Sequence, residues 1–422
     1  MKLQRVNYDA DEKEDRLSDL PDCIIVHHIF SFLNAKQVVQ TSVLSTRWHH
    51  LWKYLPTLSL VSSHFDNFDN FIRFVINFFF FLFRDGDSSI SLHKLDFHYR
   101  DGVTPFRFRH HAGDGVSPDL LNSMLTYAVS RSVKELKICM RSDIQLFPSC
   151  ISSCHSLTHL NFFVPQRNPK NPNGKVLFPN SLNLPSLIHL HIGRVAFHGG
   201  VDIFSGFPRL NRMMITHFEI LGEQNLCISS TSLVVLAMEE IFFPHHWKIQ
   251  LSTPNLSTFS FIGTPSQIMC ASRLSSLKYV QICPEKMNYV KAPSLLLSLL
   301  HELAADIQSL RLCSNTLQVL SLLPDVSKIK LNSLYKLESL RIRVKEISKT
   351  LFEPAGSQEE EEEVAKLIEA FKKDRNKRGK EERRKRSGKK NSKRRKAWIF
   401  AGSSPNRLIF IIYNSYTRFR EG

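Results

Sequence analysis

Between residues 92 and 342 the chain repeats one six-residue pattern ten times: apolar, two variable positions, apolar, one variable position, apolar. The copies are Leu92/Leu95/Phe97, Val133/Leu136/Ile138, Leu157/Leu160/Phe162, Leu187/Leu190/Ile192, Leu210/Met213/Ile215, Leu233/Leu236/Met238, Leu256/Phe259/Phe261, Leu277/Val280/Ile282, Ile307/Leu310/Leu312 and Leu337/Leu340/Ile342. Their starts lie 41, 24, 30, 23, 23, 23, 21, 30 and 30 residues apart. Within each copy the apolar side chains alternate with variable ones, the period of a strand with one buried face. A proline often ends the preceding stretch, as in "PSL", "PRL" and "PNL". Stacked coils of this kind lay their strands side by side in one curved parallel sheet, with an irregular or helical return stroke between them.

Most of these steps fall at or near the 20–29 residues expected of leucine-rich repeats, so the fold class is an α/β repeat solenoid. The 41-residue step leaves room for a degenerate copy. The segment "LQVLSL", Leu317 to Leu322, fits the template but starts ten residues after Ile307, too soon for a full coil, and is assigned to a return stroke. The repeated leucines are core. Recognition belongs to variable positions pointing out of the sheet and to its rims, for which His159, Asn161, His189, His191, Lys278 and Gln281 are the candidate target-binding residues.

Ahead of the repeats, three short helices are predicted in residues 15–60. In "LPDCIIVHHIFSFL" Pro21 suits a first helical turn, and Ile25, Ile29, Phe32 and Leu33 recur at i, i+4, i+7 and i+8. "NAKQVVQTSV" supplies a second helix. In "LSTRWHHLWKYLP" helical spacing puts Leu44, Trp48, Leu51, Trp52 and Leu55 on one face. A segment of about 40 residues cannot bury that much apolar surface alone, so a partner or the rest of the chain must cover it. Residues 61–90 come next as a connecting helical segment. Their run "FVINFFFFLF", bounded by Arg73 and Arg84, is about half a membrane span and reads as a buried helix joining two parts of the fold rather than an interfacial membrane segment.

Residues 1–14 read as a disordered N-terminus, and no signal peptide is expected because residues 1–19 are polar and charged. The formal charge of +17 resembles a nucleic-acid signal until it is located. Residues 366–396 carry 17 Lys or Arg against four acidic residues, leaving only +4 on the other 391. Eight cysteines without paired spacing suit reduced thiols in a cytosolic or nuclear protein. Cys150, Cys154 and His155 come nearest to a metal set and read as a buried pair of free cysteines. No cofactor or metal is predicted. No GxSxG, HExxH, Walker loop or dinucleotide turn is present, so no catalytic residue is assigned.

"DRLSDLP", "SFLNAKQVVQTSVLSTRWHHLWKYLP" and the array after them resemble plant F-box proteins of the F-box/leucine-rich-repeat class, called FBD-type when a further C-terminal module is present. The resemblance is close over residues 15–60 and a matter of pattern from 90 to about 350. It implies that the F-box docks on a Skp-type adaptor, which hands the chain to a cullin-RING ubiquitin ligase. The repeats, lying at 91–352, would hold the protein to be ubiquitinated. The residues expected at the adaptor are Leu20, Pro21, Ile25, Ile29, Phe32, Leu33, Val43, Leu44, Ser45, Trp48 and Leu51, with Arg47 and Trp48 matching the family's basic-Trp pair. One departure stands out. "CIIVHHIF" occupies eight positions where seven are expected, and one extra residue turns the remainder of the helix by about 100°. Either a local bulge absorbs it or adaptor affinity is weakened.

The C-terminal part departs further. Residues 353–371 form an acidic, then amphipathic linker. The tail at 372–397 replaces the apolar module the family would carry, and such a charge run is expected to be disordered. It holds three basic clusters: Lys372 and Lys373; Arg383, Arg384, Lys385 and Arg386; Lys393, Arg394, Arg395 and Lys396. These are candidate nuclear-import residues, placing the protein in the nucleus, the cytoplasm or both. Residues 398–422 form a C-terminal segment to which no structure is assigned, although its stretch "RLIFIIYNSYTRF" has strand character without an evident pairing partner. The competing reading is a nuclear, nucleic-acid-associated repeat protein acting through this tail.

Overall fold

In the computed structural model, the described residues are 19–84, 91–99, 115–165, 174–200, 202–222, 225–241, 248–263, 267–270, 274–284, 292–303, 307–313, 315–316, 337–343, 396–401 and 408–413. The N-terminal 14 residues and the acidic linker at 353–371 lie outside them, as does Leu317–Leu322. So do nine of the ten candidate import residues: Lys372, Lys373, Arg383, Arg384, Lys385, Arg386, Lys393, Arg394 and Arg395. The tenth, Lys396, opens a strand, so regular structure begins inside the stretch expected to be disordered.

The chain opens with α1 (Asp22–Ile24), which continues into a π turn (Ile25–Ile29) and a 3-10 turn (Phe30–Phe32), followed by α2 (Ala35–Gln40). Strand β1 (Thr57–Val61) comes next, then α3 (Phe68–Arg84), β2 (Lys94–His98), α4 (Pro118–Ser130), β3 (Glu135–Cys139) and β4 (His159–Phe163). The middle of the chain is strand-rich: β5 (Val176–Leu177), β6 (His189–Gly193), β7 (Val195–His198), β8 (Arg212–Thr216), β9 (Glu219–Leu221), β10 (Asn225–Ser229), β11 (Val235–Ile241), β12 (Lys248–Ser252), β13 (Thr258–Gly263), β14 (Gln267–Cys270) and β15 (Tyr279–Cys283). Then come α5 (Ala292–Leu303), β16 (Ser309–Cys313), β17 (Ser339–Arg343), β18 (Lys396–Ala401) and β19 (Leu408–Tyr413).

All ten copies of the repeat become strands of one sheet, ordered β1-β2-β3-β4-β6-β8-β11-β13-β15-β16-β17-β19-β18. Its ladders follow the apolar pattern. Leu58, Leu95, Leu136, Leu160, Leu190, Met213, Leu236, Phe259, Val280, Leu310 and Leu340 stand in one row, and the second apolar position of each strand makes the next row. Both rows are buried, so each added coil extends the same core and binds its neighbours only. The backbone repeats too. The carbonyl just before a strand accepts two successive N–H groups from the next coil, as Lys134 does from Thr158 and His159 at 2.8 and 3.0 Å. Lys278 does so from Gln308 and Ser309 at 3.0 and 2.9 Å.

The sheet begins earlier than the repeat pattern suggested. Leu55, Leu58 and Leu60 are an eleventh copy, and β1 pairs with β2 in the same register. Residues 61–90 are therefore a return stroke carrying α3, and the helical module runs straight into the solenoid. Across the 41-residue step β2 pairs directly with β3, and among the described residues the crossing carries α4. The return strokes are not all helical or irregular: between β4 and β15 they form two small parallel sheets, β5-β7-β9 and β10-β12-β14. Phe147, Phe178, Phe197 and Phe218 stack in succession behind the main sheet with ring centroids 4.9, 5.4 and 5.9 Å apart. At the far edge β19 pairs antiparallel with both β17 and β18, which supplies a pairing partner for the last apolar segment.

Helix α3 is not the wholly buried helix its phenylalanines suggested. Phe71, Val75, Phe78, Phe79 and Leu82 face inward, whereas Ile76, Phe80, Phe81 and Phe83 are exposed. Among the described residues no helix is long and apolar enough to cross a membrane.

Candidate functional site

Two surfaces gather the predicted residues. The first is built by the N-terminal helices. Pro21 starts α1, its carbonyl accepting from the N–H groups of Ile24 and Ile25 at 2.9 and 3.2 Å. A local bulge of the kind the eight-residue spacing allowed for is present as a π turn at Ile25–Ile29, an i→i+5 turn that holds one residue more than an α-helical one. Ile25 and Phe30 both point inward, five residues apart. Asn34 and Gln37 then close a capping box at the start of α2, with side chain to backbone distances of 3.0 and 3.1 Å.

The tryptophan segment is not the continuous helix its spacing predicted. Ser45 and Thr46 favour turns, and the backbone follows i→i+3 bonds, Trp48 to Ser45 at 3.2 Å and Lys53 to His50 at 3.0 Å. The expected common face is thereby broken: Trp48, Leu51 and Trp52 turn inward, Leu55 is half-buried, and Leu44 is out in solvent. Trp48 meets Phe30 edge-on at 5.8 Å, and Trp52 meets Phe78 of α3 at 4.9 Å, joining the helices to the solenoid. Arg47 locks the start of the module to its end. Its Nε donates to Asp22 at 2.8 Å and its Nη2 donates to the Leu20 carbonyl.

Of the eleven residues expected at the adaptor, Ile25, Trp48 and Leu51 are buried in the chain's own core and present almost no surface. The geometry leaves them a packing role. Leu20, Ile29 and Leu33 are half-buried against that core, and Pro21 and Ser45 are exposed. Phe32 is 87% exposed, Val43 85% and Leu44 65%, so three large apolar side chains of one short module stand in solvent. Phe32 ends the first helical segment and Val43 the 3-10 turn after α2. Ile24, also exposed, is not among the residues the sequence singles out.

The second surface is the face of the main sheet opposite the buried rows. His159 and His189 are register partners on β4 and β6 with rings 4.3 Å apart, edge to face. Burial holds the His189 imidazole below its ordinary pKa, helped by the neighbouring His159 and Arg212. Asn161 lies opposite His191, whose pKa burial alone lowers and whose Nε2 is buried without a hydrogen-bond partner among the described residues. Gln281, 30 residues before Arg311, accepts from it at 3.3 Å. Lys278 sits at the rim, just before β15, with an exposed side chain. The same face carries groups not singled out from the sequence: Lys94 pairs with Glu135 at 3.4 Å and Lys137 with Asp96 at 3.3 Å. Their signal was available, because each occupies a variable position of the repeat. Among the described residues no cluster could hold a metal ion. Cys154 instead directs its thiol to the Val133 carbonyl at 3.5 Å.

Residues 17–60 match the F-box domain. The Arabidopsis thaliana F-box/LRR-repeat protein 13 is 31% identical over 163 residues, covering 37% of this chain and 32% of the relative. An F-box/FBD/LRR-repeat protein of the same plant is 26% identical over 247 residues, 55% of this chain and 48% of the relative. A putative FBD-associated F-box protein is 25% identical over 323 residues, 72% and 67%. The chain thus spans about a third of the length of the first of these relatives and about half of the second. No solved structure matches. Residues 17–60 are an F-box domain leading into a leucine-rich-repeat array, and the chain that carries them is a homologue of the Arabidopsis F-box/LRR-repeat and FBD-associated F-box proteins.

Proposed function

We propose that this protein is the non-catalytic substrate-recognition subunit of a Skp-cullin-F-box ubiquitin ligase. In this reading the F-box docks on a Skp-type adaptor and the open face of the repeats holds the protein to be ubiquitinated. The observation that carries it is the placement of Phe32, Val43 and Leu44: an F-box domain holds three large apolar side chains in solvent while its tryptophans are committed inside. Apolar anchors at such an interface are each worth about 2 kcal/mol or more on truncation. Calorimetry with a purified Skp-type adaptor tests it. Phe32→Ala combined with Leu44→Ala is expected to weaken binding at least tenfold while leaving the melting temperature unchanged. Binding unaltered by the double substitution would overturn the assignment.

We further infer that the basic clusters of residues 372–396 direct nuclear import. The support is their layout: Lys373 and Arg383 are separated by nine residues, and Arg386 and Lys393 by six. A fluorescent fusion too large for passive entry is expected to leave the nucleus when residues 372–396 are deleted and still to capture the adaptor.

A further inference from the structure

Two thiols lie outside the roles assigned to both surfaces. β15 and β16 run parallel with Tyr279 opposite Ser309 and Ile282 opposite Leu312, so the next position brings Cys283 opposite Cys313. Neighbouring strands lie about 4.8 Å apart, and side chains matched across a parallel pair project to the same face. That spacing falls within the Cα separation of roughly 4.4–6.8 Å that a disulfide requires. Both cysteines are buried thiols.

Their surroundings differ from those of the other thiols. Cys313 Sγ lies 3.4 Å from Thr316 Oγ1, which donates to the Ile282 carbonyl at 3.0 Å and accepts from the Cys313 N–H at 3.3 Å. This hydroxyl therefore bridges the two coils at the end of both strands. A hydrogen bond from Cys283 is the main cause that draws the Cys313 thiol down to about 6, with Thr316 assisting against the opposing effect of burial. By contrast, burial pushes Cys139 up to about 11 and raises Cys150 and Cys154. The thiolate is the reactive form of cysteine.

We propose that Cys283 and Cys313 form a reversible disulfide that staples two successive coils of the array under oxidising conditions. With hydrogen peroxide as oxidant, the Cys313 thiolate attacks one peroxide oxygen, forming a sulfenic acid and releasing hydroxide. The Cys283 sulfur then displaces the hydroxyl group from the Cys313 sulfur, and the new S–S bond forms as its proton leaves with that oxygen as water. Two thiols and one peroxide thus yield one disulfide and two waters. A small oxidant suits a buried pair, and Cys283, 7% exposed, is the more open of the two. Gln281 and Arg311 sit two residues upstream on the same strands, so the staple would stiffen the part of the open face they occupy.

The experiment uses the full chain, reduced, freed of reductant and treated with stoichiometric hydrogen peroxide. Remaining thiols are alkylated and the protein is mapped by mass spectrometry. The expected result is a peptide containing Cys283 joined to one containing Cys313, released by dithiothreitol and accompanied by a rise in unfolding temperature that Cys283→Ser lacks. Alkylation of both cysteines, conversion of Cys313 to a sulfinic acid without a link, or linkage of either to another cysteine would each overturn the proposal. The map is made on the unmodified chain, so the outcome does not depend on whether the variant folds.

Discussion

Trp48 and Trp52, four residues apart, do separate work: the first closes the helical module on Phe30, the second ties it to α3 through Phe78. Side chains of the array divide as sharply. Leu236 lies in a central coil with no exposed surface, and a carboxylate there would have to leave water without a partner, at several kcal/mol. Leu236→Asp is expected to abolish the cooperative melt in circular dichroism. Lys278 joins its coils through its backbone carbonyl, so Lys278→Ala is expected to melt within about 1 °C of the unaltered chain, in keeping with the small effect of surface substitutions. His191 makes a pH prediction. Burial lowers its folded-state pKa beneath the ordinary 6.5, so the unfolded chain takes up the proton first as pH falls. The stabilisation is complete above pH 6.5 and is lost as pH falls from there through the lower folded value. Melts between about pH 7.5 and 5.5 are expected to show a decline that His191→Gln makes shallower.

Among the elements, the π turn at Ile25–Ile29 matters most to the first surface. It sets Phe30 five residues from Ile25 with both side chains turned inward. Removing His28, an exposed residue within that turn, would bring Phe30 to four residues from Ile25 and close the turn to an α-helix. Adaptor affinity is then expected to stay within about threefold, because the flanking helix keeps its face. A loss of about 100-fold would mean that the deletion had rotated the helix by about 100° instead. Binding is measured by calorimetry, with helicity checked in parallel. In α3 a strict amphipathic division, with Phe78 and Phe79 inward and Phe80 and Phe81 outward, shows why a run of phenylalanines is no guide to burial unless its phase is counted.

Across the whole molecule, the F-box and the array share one core. β1 is the first strand of the main sheet, Leu58 and Leu60 lie in register with Leu95 and Phe97, and Trp52 needs α3. A fragment of residues 15–60 is therefore expected to show no cooperative thermal transition, whereas the same residues within the full chain melt with the array. Differential scanning calorimetry of the two distinguishes this from an autonomous F-box.

The period-2 alternation of Leu95/Phe97 through Leu340/Ile342 determined the parallel sheet unaided, because each coil interacts only with neighbours built to the same pattern, so local periodicity carries the whole architecture. The Leu-Pro start and the basic-Trp pair likewise marked the F-box. What the sequence left open was decided by contacts between distant segments. Helical phase alone could not tell that Ile25, Trp48 and Leu51 face the protein itself while Phe32, Val43 and Leu44 do not. That division depends on the π turn, on Arg47 reaching back to Asp22 and on Phe78 arriving from α3. On the open face the repeat told which positions point outward. Only the packed sheet brought His159 to 4.3 Å from His189 and set Cys283 and Cys313 each one position beyond the paired Ile282 and Leu312, since the separations of 30 residues that join them become one strand spacing only after the intervening chain has folded back.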